Sequence, residues 1–348
     1  MQGRRPSIAE EVKTPQSLLN EKGKLVHTGW ARGPLWLYSR SAIRGAFTRI
    51  VEYDRYFLFS DMAILVFEIT NMGRMIYASV QISNMVQGAT FYDAYRITTP
   101  LGMVDLPSSC DSGTVKIKQK NCIIDFSVME KGSRLIKVDL PTFYGGTGLR
   151  GVVVLTPFET KEGLATVQPW RRDKKAFRYN LRNPTYKVEG VMQLGNEELI
   201  FTTDNGWGAL DWNRGCYPHG EVHYLAIASG VCGGRLIGSC IGYGMEDNSS
   251  GTENAFFLDG KLHKLGHVTF RISPRDWLAP WYFSSDDKRL SMEFQPVLEY
   301  RIKHSLFFQT IKERRVFGYI SGAFIEETGS IYTFHNIPSY TEQQKLKL

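Results

Sequence analysis

Short stretches of alternating apolar and polar residues recur along most of the chain, and clusters of turn-forming residues separate them. In residues 267–272 and 330–334, apolar side chains fall on every second position, which is typical of a strand with one dry face and one wet face. Turn signals bound such stretches at residues 71–73, 204–206, 259–260 and 326–329. No 3.6-residue period extends beyond about three turns. The pattern therefore predicts an all-β protein with few short helices.

The length of 348 residues predicts two domains, because one domain usually holds about 100–200 residues. Both halves contain a pattern of strand, glycine-arginine turn and strand, at residues 67–82 and 225–243. Antiparallel strands with short connections commonly close into barrels, which removes their unpaired edges. We therefore predict two tandem antiparallel β-barrels at residues 25–175 and 176–348. A polar N-terminal arm at residues 1–24 precedes them.

Composition narrows the setting of the protein. Aromatic residues make up 13% of the chain and glycine contributes 33 residues, which suits sheets joined by tight turns. The first residues lack the apolar core of a secretory signal, and the longest strongly apolar run, residues 62–67, is far shorter than the ~20 residues of a membrane helix. The five cysteines contain no CxxC pair, so neither a disulfide framework nor a zinc ribbon is indicated. These features favour a cytoplasmic protein without a membrane span.

The net charge of +7 does not by itself indicate a nucleic-acid partner. Basic residues are interleaved with acidic ones, and only residues 171–175 form a visible basic cluster, which itself contains an acid. Such a run is more often a solvated surface than a phosphate-binding patch. We predict no nucleic-acid binding.

Residues 204–224 contain the densest set of chemically capable side chains, including Trp207 and His219. Trp212 and Arg214 are two positions apart and would share one face of a strand. A guanidinium beside an indole can hold an anionic or hydroxyl group there. The alternative is a core tryptophan covered by an arginine stem.

Two histidine pairs, His219 with His223 and His263 with His267, have the HxxxH spacing that binds metal on a helix. Their surroundings predict strands, where residues four apart lie about 13 Å from each other. We therefore predict no metal ligands. No Walker loop or dinucleotide fingerprint is present, and we predict no cofactor.

Glu253 and Asn254 end a polar, turn-rich segment directly before an apolar strand. Loops at the mouth of a barrel often carry binding groups, and a buried Glu253 could act as a general acid or base. The alternative is a capped turn with a solvated carboxylate.

The chain resembles the family named domain of unknown function 2804, most strongly from residue 212 to residue 322. The resemblance rests on Trp212-Asn213-Arg214-Gly215, the strand AIASG, the run IGYGMEDNSSGTENAFFLDGKLHKLGHVTF, Pro280-Trp281 with SSDDKR, and RVFGYISG with EETGS. Residues 29–35 resemble the N-terminal segment of the family. The family is similar to lipocalin-like (calycin) proteins that include hydroxyneurosporene synthase and tocopherol cyclase. This resemblance implies two tandem lipocalin-like barrels and, more loosely, an apolar ligand.

The leading hypothesis is a protein that binds, and could transform, a small lipophilic molecule in a barrel cavity. Trp207, Trp212 and Tyr243 would form apolar walls, and four polar residues would orient the ligand: Arg214, His219, Glu253 and Asn254. Glu253 or His219 would donate the proton in a cyclisation or hydration.

Two other classes of function stay open. One is a non-catalytic scaffold that binds protein partners. It is favoured because residues 223–225 and 345–348 lack the tryptophans that the family often carries there. The other is a carbohydrate-active enzyme, which would use paired carboxylates such as Asp204 and Asp211 across one cleft.

Overall fold

The computed structural model describes residues 10–45, 47–73, 75–97, 106–170, 173–244, 251–306 and 309–348. Residues 1–9 of the predicted arm lie outside this part, as do the two arginines of the basic cluster at residues 171–175. The chain is built almost entirely of strands, which confirms the predicted all-β class. The predicted turns at residues 204–206, 259–260 and 326–329 fall between consecutive strands, whereas the turn predicted at residues 71–73 overlaps the end of the strand Ala63–Met72.

Fifteen strands occupy the chain up to Cys216. They are β1 (Gln16–Ser17), β2 (Gly29–Ala31), β3 (Trp36–Leu37), β4 (Ile50–Phe59), β5 (Ala63–Met72), β6 (Met75–Asn84), β7 (Ala89–Arg96), β8 (Thr114–Gln119), β9 (Cys122–Val128), β10 (Arg134–Leu140), β11 (Leu149–Pro157), β12 (Leu164–Pro169), β13 (Phe177–Leu194), β14 (Glu197–Phe201) and β15 (Trp207–Cys216).

Nine further strands follow. They are β16 (Glu221–Cys232), β17 (Arg235–Tyr243), β18 (Ala255–Leu258), β19 (Lys261–Lys264), β20 (Val268–Arg271), β21 (Trp281–Ser285), β22 (Leu290–Leu306), β23 (Gln309–Ile325) and β24 (Ile331–Lys347).

Helices within the described residues are short, as the sequence predicts. There is one α-helical turn, α1 (Phe143–Gly146), and there are three 3-10 turns, at Arg40–Ala42, Phe47–Arg49 and Glu130–Gly132. No helix in the described residues is long and apolar enough to cross a membrane.

The first barrel is a curled antiparallel sheet whose main path runs β7-β6-β5-β4-β15-β13-β11-β10-β9-β8. Three shorter strands branch from β13. β12 and β14 pair with β13, and β2 pairs with β12. β4 and β15 join the two halves of this sheet along ten paired residues. Large apolar side chains such as Tyr56, Phe67 and Trp212 fill its concave side.

The second barrel is a nine-stranded antiparallel sheet in the order β19-β18-β17-β16-β24-β23-β22-β21-β20. Its core contains Trp277, Trp281 and Phe294. A register shift between Pro296 and Leu298 changes the face to which alternate residues of β22 point. Phe294 therefore lies in the barrel core, whereas Leu298 contacts the first barrel.

A third apolar cluster joins the two barrels. Phe57, Phe59 and Trp207 of the first sheet pack there with Phe317 and Tyr340 of the second. The chain passes from one sheet to the other between Cys216 and Glu221, whereas the sequence places the domain boundary near residue 175. Strands β13 to β15 thus belong to the first sheet, and how the domains divide as folding units stays a prediction.

Candidate functional site

The predicted pair Trp212 and Arg214 lies inside the first barrel. Both side chains are buried, and the guanidinium carbon of Arg214 is 4.3 Å from the centre of the Trp212 ring. Arg214 donates to the carbonyl oxygens of Pro107 (2.7 Å) and Tyr53 (3.1 Å) and pairs with Asp54 at 2.8 Å. The sequence thus predicts their common face correctly, and protein groups already occupy the guanidinium.

The predicted proton donors Glu253 and His219 are in different environments. Glu253 is buried. His219 lies on an exposed turn, where its Nδ1 contacts the carbonyl oxygen of Leu348. The structure therefore does not bring these two residues into one site.

The other predicted ligand-binding residues are also dispersed. Trp207 packs between the barrels, whereas Tyr243 stacks on Tyr224 with ring centres 4.6 Å apart. Asn254 holds the backbone together, because it accepts from the amide of Gly242 at 2.8 Å and donates to the carbonyl of Gly266 at 2.9 Å. Within the described structure the seven predicted site residues therefore lie in several separate places, and their binding role stays a prediction.

A chain of buried ion pairs crosses the space between the barrels. This inter-barrel ion-pair chain comprises ten side chains that are all buried: Arg55, Glu68, Arg178, Arg182, Asp211, His223, Glu253, Glu313, Arg315 and Glu342. They lie on strands of both sheets, apart from Glu253, which precedes β18. Charge on both sides of the interface is therefore buried together.

Short contacts make this ion-pair chain continuous. Arg55 Nη2 lies 2.6 Å from Asp211 and 2.8 Å from Glu342. Asp211 also accepts from Arg182 Nε at 2.9 Å, and Arg182 in turn donates to Glu253. At the other end Arg315 pairs with Glu68 at 3.1 Å and with Glu313 at 2.5 Å. Arg55 at 4.0 Å from Glu68 connects the two ends.

Glu253 forms a dyad with His223 at one end of the inter-barrel ion-pair chain. His223 Nε2 is 2.5 Å from Glu253 Oε1, while Arg178 lies 3.4 Å from Glu253 Oε2. Burial by itself would raise the pKa of Glu253, but the charges of His223, Arg178 and Arg182 outweigh it and hold the pKa well below its usual range. Glu253 is therefore a carboxylate at neutral pH.

A narrow cleft opens beside this dyad. Its walls are Trp170, Arg178, Tyr217, Glu221, His223, Gln344 and Leu346, and its volume is about 10 Å³. A space of that size holds about one water molecule. Trp170 is buried, and its indole N–H has no hydrogen-bond partner among the described residues. The cleft thus combines aromatic walls with a cation, an imidazole and an indole donor.

A second small cleft, also of about 10 Å³, lies in the first barrel and is lined in part by Asp54, Cys110 and Trp212. The carboxylate of Asp54 in this cleft forms an ion pair with Arg214. No acid–base pair comparable with His223 and Glu253 lines it.

One group within the described residues could hold a metal by proximity alone: His263, Glu326 and Glu327. The two carboxylates face different ring nitrogens, with Glu327 at 2.8 Å from Nδ1 and Glu326 at 3.9 Å from Nε2. Lys261 and Arg289 already neutralise them. We assign no metal to this group.

The carboxylates suggested for carbohydrate chemistry do not share a cleft. Asp211 is buried between Arg55 and Arg182, and Asp204 is exposed on the turn before β15.

The ion-pair chain itself was not predicted from the sequence. A signal is present in β13, where Arg178, Asn180 and Arg182 alternate with Phe177, Tyr179 and Leu181. Such alternation usually means a solvated face. Here a second sheet covers that face, which a single strand pattern does not reveal.

The sequence model of the family described as domain of unknown function (DUF2804) matches residues 9–348. No functionally curated protein matches the chain.

Three solved structures align with most of this chain. CghA has a TM-score of 0.55 at 10% identity, covering 99% of this chain and 96% of its own. A protein assigned as AttH from Nitrosomonas europaea has a TM-score of 0.50 at 13% identity, with coverages of 88% and 95%. Kievitone hydratase from Nectria haematococca has a TM-score of 0.49 at 10% identity, with coverages of 96% and 98%. At these identities the likeness to CghA and to the AttH-assigned protein establishes the fold alone.

Proposed function

Because this chain belongs to the family of domain of unknown function DUF2804, we propose its function from the geometry of the cleft beside His223. In this proposal the cleft binds a small molecule with a lipophilic body and an oxygen-bearing group. His223 exchanges a proton with that group. The observation that carries the proposal is the 2.5 Å contact between His223 and the buried Glu253.

The charge balance favours His223 as the acid–base group. The ion-pair chain contains four arginines and five carboxylates. The formal charge of the whole ion-pair chain is therefore zero when the imidazole of His223 carries the additional proton. Glu253 is held as a carboxylate and would orient and charge-stabilise His223. We therefore assign the proton exchange to His223, and Glu253 becomes a positioning residue.

The remaining walls suit the two parts of such a ligand. Trp170, Tyr217 and Leu346 offer apolar surface, and Arg178 with the indole N–H of Trp170 can bind an oxygen atom. The free volume is about that of one water molecule. Binding therefore requires the cleft to widen.

The test uses 1-anilinonaphthalene-8-sulfonate, which has an aromatic body and an anionic oxygen group. Titration with the probe should give a saturable fluorescence increase in the wild type and at least tenfold weaker binding in His223→Gln. The matched control is His219→Gln, four residues away on the exposed turn, which should bind as the wild type does. Equal binding by both variants would remove the cleft from consideration.

Native mass spectrometry of protein purified from its source, with organic extraction, tests the ligand class. A lipophile retained near one-to-one by the wild type and lost from His223→Gln supports the proposal. An apo mass with bound protein partners would instead support a scaffold. That second function is favoured by one observation, namely that the two small clefts described above each hold only about 10 Å³.

A further inference from the structure

The far ends of β22, β23 and β24 form a basic groove that is separate from the cleft beside His223. Its volume is about 400 Å³. The basic side chains along it are Arg301, Lys303, Lys312, Arg314 and Lys345. The groove is large enough for a small molecule.

Strand register places these cations directly opposite one another. Lys303 pairs with Lys312 across β22 and β23, and Lys312 pairs with Lys345 across β23 and β24. In the neighbouring row Arg301 is opposite Arg314. Like charges directly opposite each other in a sheet are destabilising. The three lysines are exposed.

The two rows differ in how they are neutralised. Glu299 accepts from Arg301 Nε and Arg314 Nε, each at 2.6 Å. The hydrogen bond from Arg314 contributes most to lowering the pKa of the Glu299 carboxyl group. In contrast, Lys303, Lys312 and Lys345 form no ion pair with any described residue. An unneutralised row of three lysines therefore runs across three strands.

Arg314 is held in place by aromatic packing. Its guanidinium carbon lies 4.0 Å from the ring centre of Trp277. Trp277 stacks on Tyr224, which stacks on Tyr243. This aromatic column holds one cation beside the row of exposed lysines.

We propose that this groove binds a soluble anion bearing two or more phosphate groups. Neighbouring strands are about 5 Å apart, so the three ammonium groups can contact adjacent phosphates of one molecule. Binding would neutralise the like charges that the sheet places in register. The proposal is independent of the function assigned to the cleft at His223.

Isothermal titration with inorganic tripolyphosphate tests the proposal, using Lys312→Glu as the variant. This change places a carboxylate between Lys303 and Lys345. It should weaken tripolyphosphate binding about tenfold or more while raising Tm by about 1–3 °C, because two like-charge pairs become ion pairs. Lost binding with higher stability cannot be explained by misfolding.

The controls separate a site from general charge attraction. Lys187→Glu alters an exposed lysine of the first barrel and should leave binding unchanged. Titration with ATP tests whether the groove binds phosphates alone. If it does, ATP and tripolyphosphate should bind with equal affinity. Equal binding of sulfate at matched ionic strength, or equal loss in Lys187→Glu, would overturn the proposal.

Discussion

At the scale of single residues, Glu253 supplies a buried negative charge to the ion-pair chain between the barrels. Its carboxylate neutralises Arg182 and lies 3.4 Å from Arg178. Glu253→Gln would remove the carboxylate that both arginines contact in a buried site, and removing one partner of a buried ion pair typically costs about 3–5 kcal/mol. Urea denaturation should show this loss of unfolding free energy.

A surface ion pair provides the control. Asp259 pairs with Arg235, and both side chains are more than one-third exposed. Asp259→Asn should change the unfolding free energy by less than about 1 kcal/mol. Similar losses in both variants would mean that the inter-barrel charges are not energetically distinct.

Lys264 gives a prediction for the alkaline side. Its ammonium donates to Thr252 Oγ1 at 2.6 Å and to the carbonyl oxygens of Leu265 and Asn254 at 2.7 and 3.0 Å. Burial lowers its pKa from 10.5 to about 7. Above pH 7 the unfolded lysine therefore holds a proton that the folded lysine has lost, so the contribution of Lys264 to the unfolding free energy should rise with pH.

The slope due to Lys264 is the difference in slope between the wild type and Lys264→Met, which keeps the apolar stem, measured between pH 7 and 9 and below the range where tyrosines ionise. The difference is needed because burial raises the pKa of cysteines such as Cys110 and Cys240 in the folded protein, which gives both proteins an opposing slope. It should approach about 1.4 kcal/mol per pH unit. Lys261→Met alters an exposed lysine on the same strand and should have the slope of the wild type. Equal slopes in the wild type and Lys264→Met would assign the pH dependence to other groups.

At the scale of elements, strand contacts limit what the sheet tolerates. Gly318 lies on β23, where an added methyl group would overlap the carbonyl oxygen of Gln295 on β22. Gly318→Ala should lower the unfolding free energy by about 1–3 kcal/mol. Gly33→Ala, where the methyl group meets no atom within 4 Å, should be near neutral. An equally small effect at Gly318 would show that β22 and β23 separate easily.

The elements themselves were largely predictable from the sequence, and their partners were not. Turn residues at 259–260 and 326–329 mark strand ends, because they permit reversals that strands cannot make. The alternation of Trp212 and Arg214 also gave their common face. However, Glu253 pairs with Arg182, 71 residues earlier, and pattern within one strand carries no information about such a contact.

At the scale of the whole molecule, the ion-pair chain and the apolar cluster make the two barrels depend on each other. Arg55 of β4 contacts Glu342 of β24, and Phe57 packs on Tyr340 with ring centres 4.9 Å apart. Either barrel alone would expose both surfaces. The two sheets should therefore unfold in a single transition, seen as coincident loss of hydrogen-exchange protection in both.

Cutting the chain tests where its folding units divide. A cut between Pro218 and His219 falls in the connection between the sheets, so the two coexpressed pieces should assemble into a one-to-one complex. A cut between Lys175 and Ala176 detaches β13 and β15, which the first sheet needs between β11 and β4. That pair of pieces should give much less complex by size exclusion and native mass spectrometry. Equal or greater yield from the cut at residue 175 would instead support the domain boundary that the sequence predicts, because β13 to β15 would then fold with the second barrel first.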